Sequence, residues 1–154
     1  MIKNDRQYNI TKAQAEKFAK ALQEIPEEKP PQNKLYPTLA KAQREALQSQ
    51  YQELKQELIE YQELKSGKRK VLEINSFEHF PLALIQARIA RGLTQKELAQ
   101  KLGLKEQQIQ RYEASDYATA SLARLNQIID VLNIKIGSKV DLRYTASKKA
   151  IITS

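Results

Sequence analysis

Apolar residues recur every three or four positions through most of the chain, and this spacing predicts a mainly α-helical protein. A first helix is predicted over residues 12–25, with Thr11 and Gln14 forming its capping box. A proline-rich linker is predicted over 26–37, and a long helix over 38–66. Each helix carries one narrow apolar stripe, made of Ala15, Phe18, Leu22 and Ile25 in the first and of Leu47, Tyr51, Leu54, Leu58 and Tyr61 in the second.

The two stripes allow two arrangements, an antiparallel hairpin within one chain or a coiled coil with a second subunit. Because neither stripe is wide enough to support a stable monomeric domain alone, the pattern favours dimerisation. We therefore interpret residues 1–66 as a helical region for dimerisation or for binding a partner.

The second half of the chain has shorter elements. Helices are predicted over 77–80, 81–91, 95–102, 105–114 and 121–133, and strands over 71–74 and 134–144. The two strands could pair with each other within one subunit or across a dimer. These elements divide the rest of the chain into a basic linker with a short strand at 67–75, a helical domain at 76–135, and a short strand with a flexible tail at 136–154.

The most informative stretch is QKELAQKLGLKEQQIQRY at 95–112, which has the spacing of a helix-turn-helix. Thr94 and Glu97 form a capping box for the first helix. Ala99 is small enough to let the two helices cross closely, and Gly103 supplies a positive φ in the turn. The second helix of such a motif is built to lie in the major groove of DNA. The residues expected to close over a shared core are Leu98, Leu102, Leu104, Ile109 and Tyr112.

The net positive charge and its distribution along the chain favour a nucleic-acid partner. The 154 residues carry a net charge of +8. Residues 1–65 hold 11 Lys and Arg against 10 Asp and Glu, whereas residues 66–154 hold 15 against 8, so the basic excess lies in the half that contains the motif. The basic stretch SGKRK at 66–70 is either a solvated joint or an arm that contacts phosphates.

Composition excludes several kinds of chemistry. The chain has no cysteine and only one histidine, His79, which rules out disulfides, thiol nucleophiles and zinc fingers. It has no glycine-rich phosphate loop and no nucleophile paired with a base, so we expect no enzyme activity, no cofactor and no metal. The polar amino terminus and the lack of a long apolar run predict a soluble, cytoplasmic protein without a secretory signal or membrane span.

Residues 82–133 resemble the lambda-repressor-like, or Xre, helix-turn-helix family. The resemblance implies that fold, a helical bundle, and a role in binding DNA. Two positions depart from the family pattern: Lys105, where Ser or Thr usually caps the recognition helix, and Ser115, where a glycine commonly follows it. The resemblance is carried by Leu84, Ala87, Arg88, Gly92, Leu93, Thr94, Gln95, Glu97, Leu98, Ala99, Leu102, Gly103, Ile109, Arg111, Glu113, Leu122, Leu125 and Leu132.

The layout of the whole chain also resembles one group of HigA-type antitoxins and related regulators. It has a polar start of the NDRQYNITKAQAEKF kind, a long helix, and then ARIARGLTQKELAQKLGLKEQQIQRYEA. This resemblance implies autoregulation of an operon and a toxin partner, typically an RNA-cleaving enzyme.

Polar side chains near the start of the recognition helix are expected to read base edges. Glutamine pairs bidentately with adenine, arginine pairs with guanine, and glutamate accepts from cytosine. The candidates are Glu106, Gln107, Gln108, Gln110 and Arg111, with Gln107 and Arg111 as the main readers and Glu106 as a filter. Family position suggests that Gln95 and the adjacent helix N-terminal N–H groups hold a phosphate. The weaker phosphate candidates are Lys96, Lys105, Thr119, Ser121 and Arg124.

Arg88 and Glu113 match an internal ion pair of the family, which ties the first bundle helix to the end of the recognition helix. One recognition helix reads only a few base pairs, so specificity is expected from a two-fold dimer that sets two such helices ~34 Å apart on a palindromic operator. We therefore predict a sequence-specific, dimeric regulator of transcription. Within this class we favour an autoregulating antitoxin. The alternatives are a stand-alone or phage-like repressor without a toxin partner, and an interaction protein that does not bind DNA.

Overall fold

The computed structural model describes residues 1–24, 36–74 and 76–137, and for residues 36–40 it describes the backbone alone. The regular structure in these residues is helical, without a strand, so the prediction of a mainly α protein is confirmed. The α-helices are α1 (Asp5–Glu24), α2 (Tyr36–Lys65), α3 (Phe80–Ala90), α4 (Gln95–Lys101), α5 (Glu106–Ala114) and α6 (Leu122–Leu132), with a 3-10 turn at Phe77–His79 before α3.

Helix α1 begins at Asp5 rather than at residue 12, so the predicted start and its capping box were wrong. Thr11 lies inside the helix. The cap is instead Asn4, whose Oδ1 accepts the Gln7 amide at 2.9 Å, while Gln7 Oε1 accepts the Lys3 amide at 2.8 Å. This reciprocal pair satisfies the backbone amides of Gln7 and Lys3 at the N-terminus of α1. The helix can therefore begin at Asp5, seven residues before its predicted start. The predicted stop at Pro26, the end residue Ile25 and most of the linker lie outside the described residues.

Helix α2 begins two residues before its predicted start, because Pro37 falls in the first turn, where proline is tolerated. Its carboxy-terminal part packs on the start of α1. The rings of Tyr8 and Tyr61 stack with centroids 5.4 Å apart, and the Tyr61 hydroxyl donates to Asp5 at 3.1 Å. Asp5 also pairs with Lys65. Pairing of these helices with a second subunit stays a prediction.

The second half of the chain folds into a helical bundle whose helix boundaries agree with the predicted ones to within one residue. Gly92 and Gly103 end α3 and α4 with φ values of +68° and +66°, a backbone conformation that favours glycine. Leu98 and Ile109 are fully buried. The half-buried residues packed against them include Leu102, Leu104 and Tyr112. The predicted core of the helix-turn-helix is therefore confirmed.

Neither predicted strand is found in the described residues. Residues 71–74 and 134–137 have no regular structure, and the remainder of the second strand, 138–144, lies outside the described part, as does the tail at 145–154. Val71 is 78% exposed. Alternation of β-branched residues favours a strand only where a neighbouring strand accepts its backbone hydrogen bonds, and the described residues offer 71–74 no such neighbour.

The bundle and the amino-terminal helices share one core. Ile2, Tyr61 and Leu64 are buried, and they belong to the same apolar cluster as Leu84, Ile109 and the other central bundle residues. The predicted division into separate regions at residues 66 and 75 stays a prediction, but apolar packing is continuous across it. No helix in the described ranges is long and apolar enough to cross a membrane.

Candidate nucleic-acid interface

The turn between α4 and α5 sets the position of the recognition helix. Thr94 Oγ1 accepts the Glu97 amide at 3.1 Å, and Glu97 Oε2 accepts the Thr94 amide at 2.7 Å, which is the predicted capping box. The Thr94 amide, together with its hydroxyl, holds the pKa of Glu97 below its usual value. At the other end of α4, the Leu104 amide donates to the carbonyl of buried Ala99 at 2.8 Å, so the turn closes tightly.

Helix α5 is anchored on one side and open on the other. Ile109 and Glu113, four residues apart, are buried beneath it. Gln107 and Arg111 are also four residues apart, and helical geometry puts them on the side opposite Ile109. Both are exposed, and within the described part of the chain no carboxylate pairs with Arg111. These two side chains therefore project from the face of α5 that a ligand can reach.

The other predicted base readers have more local partners. Gln108 Oε1 accepts the Lys105 amide at 3.1 Å, so this side chain caps the helix start rather than projecting forward. The Lys105 side chain makes no cap bond, so Gln108 supplies only the return half of a capping box, and the Gln108 backbone amide donates to the Lys105 carbonyl at 2.9 Å instead of to a Ser or Thr hydroxyl. Gln110 donates to Glu106 at 3.0 Å across one helical turn, and both remain exposed. Glu106 and Gln110 occupy the flank of α5 between its buried and its projecting faces.

The predicted phosphate ligands are spread over three places. Gln95 is half-buried, and its amide donates to the Glu113 carboxylate at 2.8 Å, so one of its two amide hydrogens points inward. Ser121 caps α6 by accepting the Arg124 amide at 3.2 Å, and the Arg124 guanidinium donates to Gln127 at 2.7 Å. The remaining candidates, Lys96, Lys105 and Thr119, are exposed at the starts of α4 and α5 and before α6.

A buried ion pair fixes the carboxyl end of α5 to α3. Arg88 Nε lies 2.5 Å from Glu113 Oε1, and Arg88 Nη2 lies 2.8 Å from Oε2, a bidentate geometry. The two side chains are only 3% and 0% exposed. Arg88 Nη1 also donates to the Leu93 carbonyl at 2.7 Å, so one guanidinium joins α3, the α3–α4 turn and the recognition helix.

The sequence interpretation missed a contribution from the amino terminus to this cluster. Arg88 Nη2 donates to the Lys3 carbonyl at 2.6 Å. Lys3 Nζ in turn donates to the Glu113 carbonyl at 2.5 Å and to Asp116 at 2.8 Å, at the end of α5. No motif spacing connects residue 3 with residues 88 and 113. The Asn4 and Gln7 pattern could have placed the start of α1 correctly, but not this contact.

The chain leaves α5 by an unusual turn. Ser115, where the family favours glycine, has an ordinary φ of −99°. The left-handed conformation falls on the next two residues, Asp116 and Tyr117, with φ of 45° and 58°. The Tyr117 ring is buried and stacks on Tyr112 at a centroid distance of 6.0 Å. Burial, with the nearby Glu113 charge, raises the pKa of the Tyr117 hydroxyl above its usual range. Burial of the Tyr117 ring against Tyr112 offsets the cost of the positive φ values at Asp116 and Tyr117.

The bundle itself is only weakly basic. Residues 76–137 hold eight Lys and Arg against six Asp and Glu, a net charge of +2. The rest of the +7 of the second half comes from 66–75, with three cations and one anion, and from 138–154, with four and one. The bundle therefore offers an anionic ligand a few individually placed cations rather than a general excess of positive charge.

Comparison with known proteins agrees with this geometry. Residues 84–138 match the family model described as helix-turn-helix, which supports the lambda-repressor-like resemblance for that segment. A search of curated proteins and a search of solved structures each found no match. The chain thus carries a helix-turn-helix domain of the Xre-like type, the domain of DNA-binding transcriptional regulators.

Proposed function

We propose that this protein is a sequence-specific regulator that binds operator DNA as a dimer, with α5 of each subunit in the major groove. One observation carries the proposal: Gln107 and Arg111 are exposed one helical turn apart, opposite buried Ile109, on a helix whose end is held by the Arg88–Glu113 ion pair. A rigid helix that presents two long polar side chains on one face is suited to base readout.

In this proposal, Arg111 reads guanine through two parallel hydrogen bonds and Gln107 reads adenine. Each such pair contributes ~1–3 kcal/mol of discrimination against a wrong base. Glu106 is the filter: its carboxylate accepts the Gln110 amide and can accept from cytosine, but it repels a phosphate. Gln108 is assigned a secondary role because its side chain caps the helix.

Phosphate contacts position this helix. The exposed side chains of Lys96, Lys105 and Thr119 are available to bind phosphates. Arg124 donates to Gln127 through Nη1, and its other guanidinium N–H groups can bind a phosphate. Gln95 would contribute its second amide hydrogen. Ser121 would contribute its hydroxyl hydrogen, since its oxygen already caps α6. Such contacts fix register without reading sequence.

We also propose that the regulator is the autoregulating antitoxin of a toxin–antitoxin pair. The support is the resemblance of the chain layout to HigA-type antitoxins, together with the two long helices α1 and α2. Among the described residues, only the start of α1 and the end of α2 contribute to the core shared with the bundle, and α2 alone has 30 residues. Most of the surface of these two helices is therefore left for other contacts. We assign their exposed surface to dimerisation or to the toxin, with an RNA-cleaving enzyme as the expected partner class.

Selection of binding sites from a random duplex library tests the DNA-reading proposal. The wild-type chain should enrich a palindrome with half-sites about one helical turn apart. Arg111→Ala and Gln107→Ala should each relax the preference at one position per half-site. Gln100→Ala, an exposed glutamine on α4, is the control and should leave the selected sequence unchanged. A wild-type chain that enriches nothing would favour an interaction protein that does not bind DNA.

Co-expression of the tagged chain with its two flanking genes tests the partner proposal. The complex is isolated at high salt, where association through bridging DNA is weakened. A small basic protein recovered in stoichiometric amount would support the antitoxin role. A homodimer with nothing bound would favour a stand-alone repressor, and a monomer would contradict the dimeric operator complex.

A further inference from the structure

A groove of about 680 Å³ runs between the first turns of α1 and the helix-turn-helix. Arg6, Gln7 and Ile10 line it on the α1 side, and Gln95, Glu106 and Gln110 line it on the other. One wall of this groove is therefore the flank of the recognition helix, next to the face that carries Gln107 and Arg111.

The α1 wall is held in place. Asn4 and Gln7 cap the first turn, and the Lys3 carbonyl accepts a bond from the buried Arg88 guanidinium at 2.6 Å. Ile2 is buried in the shared core. Because residues 2–7 are tied to the ion pair that also fixes α5, Arg6 has a defined position relative to the recognition helix.

Arg6 is the cation on this wall that is available to a ligand. The other cations that line the groove are paired: Lys3 with Asp116, Lys65 with Asp5, and Arg88 with Glu113. Arg6 is exposed, and the part of the chain that the structure describes places no carboxylate against it.

We propose that Arg6 binds a DNA phosphate, so that the start of α1 extends the DNA-binding surface beyond the helix-turn-helix. A helix with its side chains is ~10–12 Å wide, and the major groove is ~12 Å wide. A recognition helix therefore fills the groove, and the sugar–phosphate strand at the rim must run along its flank. On the Glu106 and Gln110 flank, Arg6 lies across the protein groove from α5, so its guanidinium can bind a phosphate of that strand and offset the repulsion from the Glu106 carboxylate. The contact also supplies positive charge beside a bundle whose own net charge is only +2.

The inference rests on the proposed DNA binding, and its test separates the two. Binding of a random-sequence duplex of about 30 base pairs is measured by fluorescence anisotropy over a series of salt concentrations. Loss of one phosphate contact reduces the magnitude of the slope of log K against log salt by ~0.9 per bound subunit, which weakens binding at 0.1 M salt about eight-fold for each subunit. We expect this loss for Arg6→Ala. Arg6→Lys, which keeps the charge, should retain most of the slope.

Lys20→Ala is the matched control. Lys20 is an exposed cation on the same helix, 14 residues further on, and so ~21 Å away, beyond the Debye length of ~10 Å. Its slope should equal that of the wild type. If Arg6→Ala also keeps the wild-type slope while the wild type binds in a salt-dependent way, the α1 contact is overturned and the DNA-binding function stands. If the wild type itself shows no salt-dependent binding, both are overturned. Circular dichroism of Arg6→Ala should match the wild type, because an exposed side chain is removed.

Discussion

Replacing Arg88 by alanine should destabilise the fold more than any change to a surface cation. The guanidinium makes four hydrogen bonds, two to Glu113 and one each to the carbonyls of Leu93 and Lys3, at 2.5–2.8 Å. Removal leaves the Glu113 carboxylate, which is 0% exposed, with the Gln95 amide as its remaining side-chain donor. An uncompensated buried charge of this kind costs ~3–5 kcal/mol.

This cost is large relative to the total stability of a domain, which is typically ~5–15 kcal/mol. For a chain of this length, each kcal/mol shifts the melting temperature by ~2–4 °C, so Arg88→Ala should melt ~6–20 °C below the wild type. Lys101→Ala is the control. It removes an exposed cation at the end of α4 and should stay within ~0.5 kcal/mol of the wild type.

Urea unfolding followed by far-UV circular dichroism measures both variants, and a double-mutant cycle isolates the pair. Glu113→Ala alone should also be strongly destabilising, because it leaves the guanidinium buried without its carboxylate. The double variant Arg88→Ala/Glu113→Ala should lose less than the sum of the two single losses, since neither charge remains unpaired. Equal midpoints for Arg88→Ala and Lys101→Ala, or strictly additive losses, would refute the role assigned to this ion pair.

Three further perturbations test other parts of the structure. Thr94→Ala should lower the free energy of unfolding by ~0.5–2 kcal/mol, because it removes the oxygen that caps α4; an unchanged melting temperature would mean that this cap contributes nothing. Tyr117→Phe should raise the free energy of unfolding by ~1 kcal/mol, because the buried hydroxyl has no partner among the described residues; a lower urea midpoint would show that the hydroxyl is hydrogen-bonded. Burial, with the bond to Asp5, raises the pKa of Tyr61 from 10.0 to about 12, so its stabilising contribution is complete below pH 10.0 and is lost as the pH rises through about 12. Tyr61→Phe should therefore show a smaller fall in urea midpoint than the wild type between neutral and strongly alkaline pH, and an equal fall would contradict the shift.

The helix-turn-helix could be predicted almost to the residue because its determinants are local. Thr94 and Glu97 lie three positions apart, and Gly103 follows its helix directly, so a few neighbouring side chains decide each boundary. The same local reasoning failed at α1, where two capping patterns compete. Thr11 with Gln14 fits the rule, but Asn4 with Gln7 lies earlier and lets the helix start sooner.

The prediction of a strand at 71–74 is not confirmed, for a different reason. A strand is defined by its neighbour, and the alternation of Val71 and Glu73 says nothing about whether a partner strand is in reach. Prediction of the residues on the recognition helix was limited in a similar way, because side-chain contacts are not set by spacing alone. Helical spacing could place Gln107 opposite Ile109, but it could not foresee that the Gln108 side chain turns back to the Lys105 amide.

The contacts that join the two halves of the protein were beyond sequence reasoning because they depend on which faces meet. Ile2 and Leu64 lie outside both predicted apolar stripes, yet both are buried in the core that holds the recognition helix. The Lys3 ammonium donates both to the Glu113 carbonyl near the end of α5 and to the Asp116 carboxylate in the loop that follows. The helix-turn-helix match begins only at residue 84, so it cannot report on these residues. Because Arg88 donates both to the Lys3 carbonyl before α1 and to the Glu113 carboxylate on α5, one guanidinium ties the start of the amino-terminal helices to the recognition helix.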